Sequence, residues 1–326
     1  MALYDSFGRS INYLRLSVTD RCNLRCMYCM PAAGMPSIQH SDVLSYEELL
    51  RVAEAAVAIG VEKIRVTGGE PLVRKGIIPF LERLAVIPGL KRLVLTTNGI
   101  LLPEMAEELR CAGVESLNIS LDSFRPDTFS SITRGGDVQQ VLKGIVAAEK
   151  AGFKLIKINV VVMRGVNDDE VADFAALTID KPYRVRFIEY MPTLRDDKWK
   201  QRTMAGEELL ELLSRRFTLH PVKKENMDGP ATYYQISGAA GMVGVITPVS
   251  CHFCGECNRI RVTSSGVAKG CLFSTESRDL KPAIRTGDDQ AIRDALRFVV
   301  NDKPEHHDIA KQVRNHPVLP MSQVGG

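Results

Sequence analysis

Three cysteines within eight residues, Cys22, Cys26 and Cys29, are the side chains whose chemistry is easiest to name. They sit in Arg21-Cys-Asn-Leu-Arg-Cys-Met-Tyr-Cys-Met-Pro31 with the spacing C-x3-C-x2-C. Three thiolates cannot complete the four-ligand shell of a structural zinc without help from elsewhere. They can hold three irons of a 4Fe–4S cube and leave the fourth iron open to a substrate or cosubstrate. A second set, Cys254, Cys257 and Cys271, follows far along the chain, with Cys251 just ahead of it. For this set a zinc ribbon, a closed four-cysteine iron–sulfur cluster that includes Cys251, and a second three-cysteine cluster are all open readings. Cys111, in Leu-Arg-Cys-Ala-Gly at the end of an expected helix, reads as a buried small apolar residue.

The chain of 326 residues is long enough for one large domain or two ordinary ones. Its 45% hydrophobic and 25% charged content is that of an ordinary globular protein. A formal net charge of +3 gives no argument for a nucleic-acid partner, though basic residues can still gather in one pocket that faces an anion. The N-terminus lacks the apolar core of a secretory signal, and no run approaches the roughly 20 apolar residues that span a membrane. The expectation is a cytoplasmic protein with no membrane and no nucleic-acid partner. Seven of the eight cysteines fall in two clusters, which favours metal or iron–sulfur ligation over disulfides.

The elements that position these cysteines read as an alternating series. An apolar run ending near Val18 is a strand that delivers the chain into the first cysteine loop. Ser45-Tyr-Glu-Glu48 has the capping-box form and opens a helix to about Gly60. Strands are predicted over 63–67, 92–96, 116–121, 155–162 and 183–188, with helices between them, including 103–111, 137–151 and 168–178. Six such strands imply a parallel sheet with helices on its outer face, and periodicity fits an open sheet and a barrel equally. Polar residues gather at the strand ends: the cysteine loop, Gly68-Gly69-Glu70-Pro71, Thr97-Asn98-Gly99, Ser120 with Asp122, and Glu189 with Met191. In parallel barrels that rim carries the active site. After about residue 193 the rhythm changes to a charged loop, a helix over 207–216, antiparallel strands over 229–236 and 242–246, a strand over 259–262, and helices near 278–285 and 288–301. His306 and His307 read as exposed helix-end residues, and Gly325-Gly326 as a frayed tail by composition.

The first triplet, with Tyr28 before its last cysteine, and the Gly-Gly-Glu-Pro strand end together resemble the radical S-adenosylmethionine (SAM) superfamily. Adding Phe253-Cys-x-x-Cys-Asn-Arg-x-Arg261, the Cys271-Leu-Phe return and the terminal Gly-Gly, nearly the whole chain resembles the GTP 3′,8-cyclase family of molybdenum cofactor biosynthesis. The resemblance implies an α/β chain: an incomplete six-stranded (β/α)6 TIM-like barrel over 1–228, and a C-terminal α+β iron–sulfur and GTP-binding region over 229–326 that closes its open side. It implies two 4Fe–4S clusters with one open iron each, on Cys22, Cys26 and Cys29 and on Cys254, Cys257 and Cys271. SAM would contact Tyr28, Gly69, Ser120 and Met191, with the glycine-rich strand end allowing close approach of backbone to its methionine part. GTP would contact Arg15, Arg65, Thr96, Lys157, Arg259 and Arg261, and Gly325 and Gly326 would reach into the barrel.

The implied reaction makes a 5′-deoxyadenosyl radical from SAM, which takes the ribose C3′ hydrogen of GTP so that C3′ attacks guanine C8. No residue is required as an acid or base in that abstraction. Implied partners are a second copy of the chain, an electron donor such as flavodoxin or ferredoxin, and a cyclic pyranopterin monophosphate synthase that receives the product. The cations make sense without the family: a triphosphate needs several of them, and guanidinium forks suit its oxygens. An interior Arg65 or Lys157 would be costly unless such an anion compensated it. Cys251 departs from the family's ligand set and is expected to be a free thiol beside the second cluster. A peptide-modifying radical SAM enzyme and a non-catalytic metal carrier are the competing readings.

Overall fold

The computed structural model describes residues 2–35, 38–191, 198–223, 229–274, 276–307 and 321. Gly325, Gly326 and residues 193–197 of the expected charged loop lie outside them.

Six strands, β1 (Tyr13–Ser17), β2 (Lys63–Thr67), β3 (Arg92–Thr97), β4 (Ser116–Ser120), β5 (Leu155–Val162) and β6 (Arg184–Glu189), pair in parallel in chain order. Between them run α1 (Tyr46–Ala58), α2 (Ile77–Ala85), α3 (Leu102–Cys111), α4 (Pro126–Thr133), α5 (Val138–Lys150) and α6 (Val171–Asp180). The remaining chain forms α7 (Trp199–Arg202), α8 (Gly206–Ser214), β7 (Leu219–Val222), β8 (Thr232–Ile236), β9 (Met242–Ile246), β10 (Arg259–Val262), β11 (Val267–Lys269), β12 (Arg278–Asp279), α9 (Lys281–Thr286) and α10 (Asp289–Asn301).

All the strands join one mixed sheet in the order β12-β11-β10-β1-β2-β3-β4-β5-β6-β9-β8-β7. The C-terminal strands therefore do not make a separate layer. β9 adds in parallel to β6 at one edge and β10 adds in parallel to β1 at the other. Each then continues outward in antiparallel pairing.

The strands alternate with period two, and this decides what faces where. Leu14 and Leu16, Ile64 and Val66, Leu93 and Leu95, Leu117 and Ile119, Ile156 and Ile158, and Val185 and Phe187 all join the main apolar core. The intervening positions hold Arg15, Arg65, Thr96, Asn118, Lys157 and Arg186. Several of these are buried too, so the sheet has one apolar face and one buried polar face. A buried polar face is not explained by folding energetics, because its groups must be desolvated.

On the apolar side, α1 buries Leu49, Val52, Ala53 and Ala56, a stripe at helical spacing. Its start is fixed as predicted: Glu48 N–H donates to Ser45 Oγ at 3.2 Å and Ser45 N–H donates back to Glu48 Oε2 at 2.7 Å. Losing that cap through Ser45→Ala would cost about 1 kcal/mol. α9 and α10 also pack against α1, so the C-terminal helices are tied to the first βα unit.

Four local expectations need correction or addition. Cys111 is exposed, because α3 buries Leu102, Ala106 and Leu109, and the last residue of the helix falls off that stripe. His307 is buried, with its ring edge-on to His252 at 4.4 Å and tilted against Phe273 at 4.9 Å. α4 stands where only α5 was expected; its apolar signal rests on Phe129 and Ile132. β7 holds Pro221, which it tolerates as the edge strand of the sheet. No described helix is long and apolar enough to cross a membrane.

Candidate active site

The C-terminal ends of the parallel strands open into a cavity of about 980 Å³, open solvent included. Cys22, Cys26 and Cys29 line it from the loop after β1, and Tyr28, Gly69, Ser120 and Met191 line it with them. Thr96 also reaches this cavity. The glycine pair has a reason visible in the backbone. A Cβ on Gly68 would lie 2.4 Å from Thr19 O, and one on Gly69 2.2 Å from Arg21 O. Gly69 N–H donates to Thr19 O at 2.7 Å and Glu70 N–H to Arg21 O at 2.8 Å. The glycines thus let the end of β2 lie against the chain leading into Cys22, a role distinct from ligand approach.

Buried carboxylates lock the surrounding loops. Glu70 accepts from Leu72 N–H, Thr97 Oγ1 and Asn98 N–H, which ties the ends of β2 and β3 together. Burial still pushes its carboxyl up to about 7, against those three bonds. Asp122 accepts from the Tyr28 hydroxyl at 2.6 Å and from Val161 N–H at 2.8 Å, and so fixes the tyrosine of the cysteine loop from β4 and β5. Glu189 accepts from Gly206 N–H, Val249 N–H and Ser250 N–H, holding the approach to the second cysteine set.

These carboxylates are therefore engaged, and among the described lining residues no fourth thiol or imidazole joins the first triplet. Burial raises the Cys26 thiol well above its ordinary range, and Asp122, Cys29 and Cys22 add to the effect. Burial likewise brings Cys22 up to about 11. Neutral thiols favoured by burial at Cys22 and Cys26 suit an iron centre whose positive charge takes them as thiolates. The donor set fits a 4Fe–4S cluster and leaves a tetrahedral zinc one ligand short.

A second cavity, about 1050 Å³ with open solvent included, adjoins the first and shares Asn159, Ile188, Met191 and Met321 with its lining. Cys254, Cys257 and Cys271 line it, while Cys251 is exposed and does not. Cys254 and Cys257 make the same local turn as Cys26 and Cys29: Cys257 N–H donates to Cys254 O at 3.1 Å and Cys29 N–H to Cys26 O at 2.9 Å. Burial would raise Cys257, but Arg259 and Lys303 outweigh it and bring the thiol down to about 6. This triplet too fits a three-thiolate cluster.

The same cavity collects cations, of which all but Arg259 are buried. Register places Arg15 opposite Arg65 on β2 and opposite Arg261 on β10. Arg15, Arg65, Arg186, Arg259 and Arg261 line the space. Like charges side by side on neighbouring strands are destabilising. Burial, then Arg261 and Arg65, depresses Arg15 well below its usual value. Arg65 and Arg261 are each brought down to about 10, burial being the first cause of both. Burial and Arg186 bring Lys157 to about 5, although it lines neither cavity. Tyr13 lies under this group with Lys63 4.6 Å over its ring; burial opposes ionisation there, but Arg65, Lys63, Arg15 and Arg259 pull the phenol down to about 8.

Arg65 Nε, Arg186 Nε, Thr96 Oγ1 and Asn159 Oδ1 are buried with no hydrogen-bond partner among the described residues. Buried polar atoms are normally satisfied, so this face is built for a polyanionic, hydrogen-bonding guest.

The structure thus gathers every predicted SAM-contact residue in the first cavity, and Arg15, Arg65, Arg259 and Arg261 in the second. Thr96 stands on the first side and Lys157 behind the wall. Lys63, Asn159 and Arg186 were not anticipated, although alternation signals each one: Lys63 shares a strand face with Arg65, Asn159 with Lys157, and Arg186 pairs with Asn159 across β5 and β6. Arg9 and Lys303 carry no comparable local signal.

A parallel α/β sheet whose first strand feeds a three-thiol loop, packed through glycines against the end of the second strand, defines a radical SAM protein. Residues 16–178 match the family described as Radical SAM superfamily, and residues 183–309 match Molybdenum Cofactor Synthesis C. A GTP 3′,8-cyclase of Geobacter sulfurreducens is 61% identical over 326 residues, covering the whole of both chains. One from Alkaliphilus oremlandii is 46% identical over 323 residues, 99% of each chain. The chain belongs to the GTP 3′,8-cyclase family of the radical SAM superfamily. Among solved structures, Streptococcus suis SuiB bound to S-adenosylmethionine overlays with a TM-score of 0.60 at 13% identity, covering 88% of this chain and 68% of that one. That likeness is one of fold.

Proposed function

We propose that this chain uses SAM to convert GTP to 3′,8-cyclo-7,8-dihydroguanosine 5′-triphosphate, the first step of molybdenum cofactor biosynthesis. The observation that carries the reading is a division of labour between two adjoining cavities. Each has a thiol triplet, and the buried arginines belong to the second. SAM therefore occupies the first and GTP the second, with Met191 and Asn159 between them. When bound and reduced, a 4Fe–4S cluster on Cys22, Cys26 and Cys29 supplies the electron for SAM cleavage to methionine and a 5′-deoxyadenosyl radical.

The chain's own residues bind and orient. Tyr28, Gly69, Ser120 and Met191 contact SAM, with Tyr28 held by Asp122. Arg15, Arg65, Arg259 and Arg261 neutralise the triphosphate, joined by Arg186, whose Nε is unsatisfied. Thr96 offers a hydroxyl from the SAM side, and Lys157 adds charge from behind. Cys254, Cys257 and Cys271 would hold a second 4Fe–4S cluster, which would supply an iron site for the guanine, and Cys251 stays a free thiol. The cavity walls exclude water and competing hydrogen donors, which is the protein's share of radical chemistry.

In this reading the six strands β1–β6 curve into an incomplete (β/α)6 barrel over 1–228, and residues 229–326 close it. The cavity's lining by β1, β2, β5, β6, β9 and β10 supports such curvature. Met321 lines both cavities and its N–H donates to Cys29 O at 3.1 Å, which supports a tail that carries Gly325 and Gly326 toward the reacting groups. The enzyme works in the cytoplasm as a homodimer, draws electrons from a flavodoxin or ferredoxin, and passes product to a cyclic pyranopterin monophosphate synthase.

The test incubates reduced, anaerobically reconstituted protein with SAM, with and without GTP. GTP-dependent 5′-deoxyadenosine and a cyclised guanosine triphosphate are expected; 5′-deoxyadenosine formation that ignores GTP would overturn the assignment. Metal analysis should find about eight irons per chain and no zinc, as two cubane clusters require.

A further inference from the structure

The segment that follows α10 is wrapped around the second thiol triplet. Lys303 is 3% exposed, and its ammonium donates to Cys257 Sγ at 3.3 Å, Arg259 O at 3.1 Å and Gly270 O at 2.7 Å. An ammonium has three donors, and here all three end at the second site. Gly270 makes room for this approach, since a Cβ there would lie 2.8 Å from Val299 O and 3.3 Å from Lys303 Cα. The backbone of His307 donates to the Cys254 thiol. Arg9 fastens the stretch between them: its guanidinium donates to Cys254 O at 2.8 Å, Pro304 O at 2.8 Å and Glu305 O at 3.1 Å, and it is itself paired with Asp5 at 2.5 Å. The other cation near Cys257, Arg259, stands 3.9 Å from the sulfur with its guanidinium over the Phe253 ring.

We infer that Lys303 is a positioning residue that sets the reduction potential of the second cluster through its charged hydrogen bond to the Cys257 sulfur. This rests on the reading that Cys254, Cys257 and Cys271 hold a 4Fe–4S cluster. Reduction adds one negative charge spread over iron and sulfur. A buried cation bonded to a ligand sulfur stabilises that charge, and water cannot replace it in a site this dry. Hydrogen bonds to sulfur and local charge are established determinants of cluster potential. Losing the ammonium should therefore make the second cluster harder to reduce. The two carbonyl bonds of Lys303 supply an ordinary alternative, a purely structural tie between the start of β10 and Cys271, and the experiment must separate the two.

The full chain is reconstituted anaerobically as wild type, Lys303→Gln and Lys303→Arg. Glutamine keeps a stem and a donor but no charge; arginine keeps the charge. Iron content is measured, and both midpoint potentials are followed by EPR, the first cluster being recognised by its response to SAM and the second by its response to GTP. The expected result is about eight irons in all three proteins, a lower second potential in Lys303→Gln, a second potential near wild type in Lys303→Arg, and an unmoved first potential throughout. Retention of the second cluster in Lys303→Arg but not Lys303→Gln would likewise support a role for the charge. An unchanged second potential in fully loaded Lys303→Gln would overturn the inference. So would loss of half the iron from both variants, which would leave Lys303 a structural tie. Wild-type protein with about four irons, or with zinc, would instead refute the two-cluster reading itself.

Discussion

Replacing Arg65 with methionine should weaken GTP binding and at the same time stabilise the free protein. Arg65 is 7% exposed, faces Arg15 across β1 and β2, and has an Nε with no partner among the described residues. Burial depresses its pKa from 12.5 to about 10; Tyr13 offsets part of this, and Arg186 and Arg259 add to it. At about pH 8 the group is charged in both the folded and the unfolded chain, so the whole penalty falls on folding and is relieved only as pH rises through about 10. That depression corresponds to roughly 3 kcal/mol. Against it stands the lost contact of the guanidinium with the Tyr13 ring at 5.3 Å, worth about 0.5–2 kcal/mol. The net gain should be about 1–2 kcal/mol, or a few degrees in Tm. For binding, one charged hydrogen bond to phosphate is worth about 1.5–3 kcal/mol, an increase in Kd of about 10- to 150-fold. The assay is thermal unfolding of the reconstituted proteins with and without GTP, together with calorimetric titration. Without GTP the variant should unfold later than wild type; with saturating GTP the order should narrow or reverse, since ligand stabilises in proportion to its affinity. A variant that is less stable without GTP, or that binds GTP as well as wild type, would refute the view of this face as a strained anion cradle.

Lys157, brought to about 5 by burial and then by Arg186, Lys63 and Arg65, is neutral near pH 7 in the free protein. A polyanion beside it should restore its charge, so GTP binding should take up to about one proton and weaken as pH rises. Binding enthalpies measured in buffers of different ionisation enthalpy should show this uptake, and Lys157→Met should remove most of it; a buffer-independent enthalpy would contradict the account. Gly69→Ala puts a methyl group 2.2 Å from Arg21 O, so the first cysteine loop must move. Iron should fall from about eight to about four per chain while GTP still binds, and full iron content would show that the loop tolerates the shift.

Some of this was legible in short stretches. The capping box at Ser45 and Glu48, the six parallel strands and both cysteine triplets depend on neighbours a few residues apart, and they stand where expected. The cations of β1 and β2 could be read for the same reason, since alternation sends Arg15 and Arg65 to one face. Lys63, Asn159 and Arg186 obey that rule equally, but a polar residue in a strand is ordinarily an exposed one, so alternation alone does not mark them as part of a site. The exposure of Cys111 and the burial of His307 are not legible locally, because burial at the end of a helix depends on what packs there. For His307 this is His252 and Phe273, contributed by the loops of the second cysteine set.

By itself, the sequence determined that a set of three cysteines and a set of four exist, that the first follows a strand, and that several strands carry cations at alternate positions. Those are properties of residue type and spacing. The tertiary structure decided where the ends of the sheet lie. β10 joins β1 and β9 joins β6, so Arg259 and Arg261 meet Arg15 although more than two hundred residues intervene. It also left Cys251 outside the second triplet and carried Lys303 onto Cys257. The choice of a sheet edge or of a partner for a buried ammonium is settled by long-range packing and desolvation, which leave no periodic trace in the residues that make it.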